Sequence, residues 1–187
     1  VLNYVFVSVG LTVAVVLLAV YPMAAVLGRV PLLRLARACV PAQSLAITSR
    51  SSIATLPAMM DAARSLDVPE TVVAVATPLA ASLVRVGAAV GQMTAVVFAA
   101  HLFGITLGLA QQLSVLLATV MTSMASPGVP GGSIIVLTPL LASAGIPAEA
   151  LGIILGADAI PDMARTMANV TGAIAATVIV APSKETA

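Results

Sequence analysis

Hydrophobic residues run along this chain in long stretches instead of alternating with polar ones. Residues 1–28, 38–60, 70–104, 112–144 and 148–181 are dominated by aliphatic side chains and joined by short polar or Gly/Pro-containing connections. Val1 to Leu27 contains no Asp, Glu, Lys or Arg, so as one helix at about 1.5 Å per residue it more than crosses a hydrocarbon core of roughly 30 Å. That length, and the absence of a basic start, argue against a cleaved signal peptide. Two stretches are interrupted midway, one at Ser49-Arg50-Ser51-Ser52 and the other from Ser126-Pro127-Gly128 to Gly132. Each half is too short to span alone, which predicts re-entrant hairpins at 38–60 and 112–144. The expected fold is an all-α membrane protein.

Composition agrees. Hydrophobic residues make up 60% of the 187 and charged ones 8%, where soluble domains carry about a quarter charged. A net charge of +1 leaves no basic surface for nucleic acid. Lipid is the large partner implied. The single cysteine, Cys39, can form neither an internal disulfide nor a thiolate metal site. The chain begins with Val and reads as part of a longer protein.

Arg29, Arg34, Arg37, Arg64 and Lys184 flank the apolar stretches on one side, while the opposite connections hold no Lys or Arg. The first side is therefore expected to be cytoplasmic. On that count the first hairpin enters from the cytoplasm and the second from outside, each followed by a spanning segment. Such an inverted repeat, with interrupted helices meeting near the midplane, is a common transporter architecture. One long kinked helix per stretch is the alternative. Irregular backbone at membrane depth is tolerated only where protein or water satisfies it, so hairpin tips imply a lined cavity.

Arg50, Arg85, Asp158, Asp162 and Arg165 lie inside the apolar stretches. Each costs roughly 2.5–3.5 kcal/mol at a helix centre on insertion scales, which marks them as candidate functional groups. Asp158, Asp162, Arg165 and Asn169 stand at i, i+4, i+7 and i+11 and share one helical face, with Thr166 beside it. An aspartate can hold an ammonium and an arginine fork a carboxylate, so one helix offers both ends of an acidic amino acid. An internal Asp162–Arg165 ion pair at i, i+3 is the competing reading. Ser51, Ser52 and the free N–H groups of the glycine-rich tip reach the same depth and are natural carboxylate partners. No Ser-His-Asp set, metal-ligand spacing or phosphate loop points to an enzyme.

The run Asp158-Ala-Ile-Pro-Asp-Met-Ala-Arg-Thr-Met-Ala-Asn-Val-Thr-Gly172 resembles the last-helix signature of the glutamate/aspartate transporter family, the dicarboxylate/amino acid:cation symporters. Ser49-Arg-Ser-Ser-Ile-Ala-Thr-Leu-Pro57 is similar to that family's first hairpin tip, and Gln111 to Gly132 to its second hairpin. The resemblance runs along essentially the whole chain. It implies an elevator-type transport domain, with a broken helix at 70–104, preceded in the family by scaffold helices that form a homotrimer. It implies that Arg165 holds the substrate's side-chain carboxylate, Asp162 its amino group, and Asn169 and Thr166 its main-chain carboxylate or neighbouring polar atoms. Ser51 and Ser52 would close the site from one tip, and Val129 and Gly131 from the other. Dicarboxylate-specific relatives tend to lack the aspartate matching Asp162, so aspartate or glutamate is the expected substrate.

Sodium-driven members carry Asn-Met-Asp-Gly-Thr in the broken helix and an aspartate after the Thr-Gly of the last helix. This chain has Val84-Arg85-Val86-Gly87-Ala88 and Ala173. Hard cations need oxygen ligands, so sodium coupling is expected to be weakened or lost, with Arg85 standing as a fixed surrogate cation. Pairing of Arg85 with Asp158 or Asp162, or direct contact with substrate, are the other roles open to it. Ser82, Ser123 and Ser126 match a residual sodium site. Sodium or protons remain as coupling ions, and no resident cofactor is expected. The implied protein is a carrier of acidic amino acids in a bacterial plasma membrane. The alternatives are a C4-dicarboxylate or other amino-acid carrier, or a paralogue that binds without transporting.

Overall fold

A computed structural model describes residues 1–182; the expected cytoplasmic charge Lys184 lies outside them. Every regular element among the described residues is helical. Three helical rods are long and apolar enough to cross a membrane: Leu2–Leu27, Glu70–Leu102 and Ala159–Val180. The chain is an integral membrane polypeptide.

The first rod joins α1 (Leu2–Val15) to α2 (Tyr21–Leu27) through a π-helical turn at Val16–Val20. Tyr4, Ser8, Thr12, Val16, Val20 and Ala24 are buried, one every four residues, while Phe6, Leu18 and Val26 point outward. This polar-in, apolar-out order reverses that of a soluble helix and suits lipid outside. Thr94 Oγ1 donates to Ser8 Oγ (3.3 Å), tying the rod's inner stripe to its neighbour.

α3 (Leu32–Ser49) and α4 (Leu56–Ser65) form the first hairpin. Its arms run past the apolar stretch into polar residues, where Arg34 meets Asp67 (3.0 Å) and Arg64 meets Asp61 (2.8 Å) and Glu70 (2.7 Å). These pairs are exposed and add little stability. At the tip Arg50 adopts a left-handed conformation (φ 51°), its N–H closing α3 on the Ala46 carbonyl. Ser51 shapes the turn: its Oγ accepts from Ala54 N–H, and its carbonyl accepts from Thr55 Oγ1.

α5 (Glu70–Leu83) and α6 (Val86–Leu102) form a helix broken at Val84-Arg85, where the backbone turns extended. The second hairpin comprises α7 (Leu109–Met124), a tip ending at left-handed Gly131 (φ 71°), and the short α8 (Gly132–Ile135) and α9 (Thr138–Ser143). The last stretch, which the apolar pattern presents as one segment, is also broken, into α10 (Glu149–Ala157) and α11 (Ala159–Val180). Pro161 explains the break, because it has no N–H for the Ala157 carbonyl. Each hairpin is thus followed by a broken helix.

Two apolar cores flank α11. One packs the first hairpin and α5 against it through Leu35, Met59, Val73 and Ile174. The other joins the second hairpin, α6 and α10 through Val96, Leu137, Leu141 and Ile154. About 72% of the α11 span is buried, against 33% for the first rod and 39% for the broken helix, which makes α11 the central strut. Its polar face lies at the seam between the cores, where the tips meet.

Candidate functional site: a closed polar cavity at the hairpin tips

Pro161 leaves Asp158 at the start of α11, from where its carboxylate reaches Arg165 two turns on. Arg165, only 1% exposed, donates from Nη1 to Asp158 Oδ1 (2.7 Å) and from Nη2 to Asp158 Oδ2, and Nη2 also reaches Asp162 Oδ1 (3.2 Å). Its Nε is buried without a partner. Tyr4 of α1 donates to Asp158 Oδ1 (3.2 Å). Asp162 accepts the Gly131 N–H of the second tip on Oδ2 (3.1 Å). The i, i+3 contact expected between Asp162 and Arg165 is present, but the shorter, two-pronged bond goes to Asp158.

Room for Arg165 comes from α6. A Cβ on Gly91 would lie 1.9 Å from Arg165 Cδ, and one on Gly87 would lie 2.2 Å from the Arg165 carbonyl oxygen. These glycines, one turn apart, form a bare groove that admits the side chain. Asn169 Oδ1 accepts the Ala88 N–H (3.1 Å), capping α6 where the broken helix restarts. Thr166 donates to the Asp162 carbonyl (2.8 Å).

The tips meet above this floor. Ser51 Oγ donates to the Gly128 carbonyl (2.8 Å), which also accepts the Ile53 N–H at 3.5 Å. Arg85, 8% exposed, donates from Nη1 to Ser52 Oγ (3.3 Å) and from Nε to the Ser82 carbonyl (3.5 Å). Among the described residues it pairs with no carboxylate. The cavity beneath them, lined by Arg50, Ser52, Arg85, Asp162, Arg165 and Asn169 among others, has a volume of about 10 Å³, room for about one water.

Ser52, Arg85, Ser126, Val129, Asp162, Arg165, Thr166 and Asn169 line this one cavity, with Ser51 and Gly131 at its lid. Ser82 and Ser123 lie outside its lining: Ser82 is exposed with its hydroxyl on the Pro78 carbonyl, and Ser123 is buried with its hydroxyl on Val120. The Val84 and Val86 methyls crowd Gly172, at 3.2 Å from a Cβ placed there. Ala173 is fully buried.

Two side chains passed over in the apolar pattern complete the site. Gln92 Nε2 donates to Ser126 Oγ (3.1 Å) and the Ser133 carbonyl (3.0 Å), and its Oε1 accepts from Thr122 (2.9 Å). It staples α6 to the second hairpin. Its signal was available, since it stands seven residues after Arg85 on one helical face. Tyr4 gave only a lone hydroxyl in an apolar helix.

Comparison with known proteins decides the lineage of this arrangement of two hairpin tips over a buried Asp-Arg-Asn face. The chain matches the sodium:dicarboxylate symporter family over residues 1–183. It belongs to that family. A proton/sodium-glutamate symport protein of Bacillus caldotenax is 39% identical over 135 residues, which cover 72% of this chain and 32% of that protein. A proton/glutamate-aspartate symporter of Escherichia coli K12 is 36% identical over 73% of this chain and 31% of its own length. A C4-dicarboxylate transport protein of Bacillus subtilis is 33% identical over 75% of this chain and 34% of its own. The symporter-family chain thus spans about a third of each of these relatives. The family is one of transporters, and this chain is no enzyme.

Proposed function

We propose that the chain is the substrate-carrying unit of a secondary carrier for acidic amino acids such as aspartate or glutamate. The observation that carries this reading is the polar cavity in which Asp162, Arg165 and Asn169 of one helix meet the Ser51–Gly128 link between two tips. Asp162 takes the ammonium, which its surplus negative charge suits. Thr166, Asn169, Ser51, Ser52 and the tip backbone at Val129 and Gly131 surround the rest. Arg165 holds Asp158 and Asp162 in place and fronts the solute.

In this reading the unit moves as an elevator against scaffold helices of its own protein, in a homotrimer of the bacterial plasma membrane. The hairpins re-enter from opposite sides, and the second acts as the outer gate. Sodium coupling is weakened or lost in this reading: the side chains of Val84 and Val86 offer no oxygen ligand and lie against Gly172, Arg85 supplies a fixed positive charge, and of three serines that would form a residual site only Ser126 lines the cavity. Aspartate uptake by the full-length protein in vesicles, with and without sodium, tests both claims. Uptake without sodium is expected. Strict sodium dependence would remove the surrogate-cation role, and binding without uptake would remove the carrier.

A further inference from the structure

The floor and the facing wall of the cavity carry opposite charge. On the floor Asp158 and Asp162 face a single guanidinium, that of Arg165, leaving one surplus negative charge that a solute ammonium balances. On the wall Arg85 and Arg50 line the cavity, and among the described residues neither makes an ion pair with a carboxylate. A buried guanidinium without a carboxylate is costly, and a protein retains one where a ligand completes it.

Arg165 is poorly placed to receive a second solute carboxylate. Both of its Nη groups already bond Asp158, one of them Asp162 as well, and its Nε is buried. Arg85 differs. Its bonds are the long ones to Ser52 Oγ (3.3 Å) and the Ser82 carbonyl (3.5 Å), and no hydrogen bond from Nη2 is present among the described residues. Room for Nη2 depends on Gly128: a Cβ there would lie 3.0 Å from it. The same glycine's carbonyl receives the link from Ser51, so the lid and the open end of the guanidinium meet at one residue.

We infer that Arg85 is the specificity-determining residue of this site, its guanidinium receiving with Ser52 the second carboxylate of an acidic solute. The inference rests on the proposed carrier reading and moves the side-chain carboxylate from Arg165 to Arg85. Acidic solutes then complete the charge of the wall, whereas an amide in the same place leaves Arg85 uncompensated.

The test uses the full-length protein, without sodium, and two nearly isosteric pairs: L-aspartate with L-asparagine, and succinate with succinamate. Removing a charge-assisted contact in a closed site should weaken binding by about 10- to 100-fold. Arg85→Met and Arg85→Gln should lose aspartate affinity by that factor while asparagine affinity stays within about threefold, which also shows the variants folded. Arg85→Lys, which keeps the charge without the fork, should retain part of the preference. If both neutral variants still prefer aspartate, or lose both ligands by the same factor, Arg85 does not set specificity. If the unmutated protein binds neither aspartate nor succinate even when sodium is added, the carrier reading itself fails, and this inference with it.

Discussion

Arg165 joins three elements: its own helix, the break at Asp158 and, through Asp158, Tyr4 of α1. Removing it leaves two buried carboxylates opposed, and breaking a buried pair costs about 3–5 kcal/mol. Arg165→Ala should therefore lower the thermal midpoint by many degrees and abolish aspartate binding, as read by thermal unfolding and calorimetric titration of one preparation. Asn169 acts more locally. Asn169→Ala leaves Ala88 N–H without its acceptor and should cost about 1 kcal/mol, the usual penalty for a lost helix cap. Asn169→Asp keeps the oxygen but adds a buried charge, so it should unfold at lower temperature than Asn169→Ala. At this scale the sequence already announced the stripe, because four polar side chains on one face of an apolar helix have few explanations. Which aspartate takes the Arg165 fork was hidden. Neighbour rules favour i, i+3, whereas a long side chain directed toward the helix N-terminus, together with the Pro161 break, brings Asp158 within reach.

Among the elements, α6 and α11 approach most closely where glycine permits. Gly87→Ala would drive a methyl to 2.2 Å from the Arg165 carbonyl oxygen, and backbone cannot yield as a side-chain tip does. This single methyl should destabilise the protein by more than about 2 kcal/mol, at the severe end for a small substitution, measurable as a fall in denaturant midpoint. The hairpin tips make a softer contact. Ser51→Ala removes the hydroxyl bonded to Gly128 and should leave the thermal midpoint almost unchanged while broadening the distance distribution between spin labels on the two tips. The breaks at Ser49–Ser52 and Ser126–Gly132 were readable, since polar and Pro/Gly residues interrupt apolar runs there. The length of the hairpin arms was not, because hydropathy stops at the membrane edge whereas the helices continue into the charged residues of the base. Nor does hydropathy register a one-residue interruption such as that at Asp158.

For the whole molecule, the two apolar cores on either side of α11 leave its polar face as the shared boundary. A coupled ion normally changes ligand affinity by about 5- to 150-fold. Adding sodium to the full-length protein should shift aspartate affinity by less than about fivefold, as titration in sodium and in choline buffers would show; a larger shift would reinstate sodium binding. Membership of the family was legible from motifs spread along the chain. The run Val84-Arg85-Val86 and Ala173 was legible as well, but the packing of the Val84 and Val86 methyls against Gly172 emerges only in the folded chain.

The Ser51–Gly128 link sets a limit on what the lid can accomplish. A neutral hydroxyl–carbonyl bond contributes about 0.5–1.5 kcal/mol net, so on that bond alone the tips would stand apart in roughly a tenth to a third of molecules at any instant, and the Ile53 N–H adds only a long bond, 3.5 Å, to the same carbonyl. A latch this weak opens unaided and often, and it cannot discriminate by staying shut. Discrimination then falls to dwell time: solutes that match the charge behind the lid remain long enough for it to settle over them, and the others diffuse out between openings.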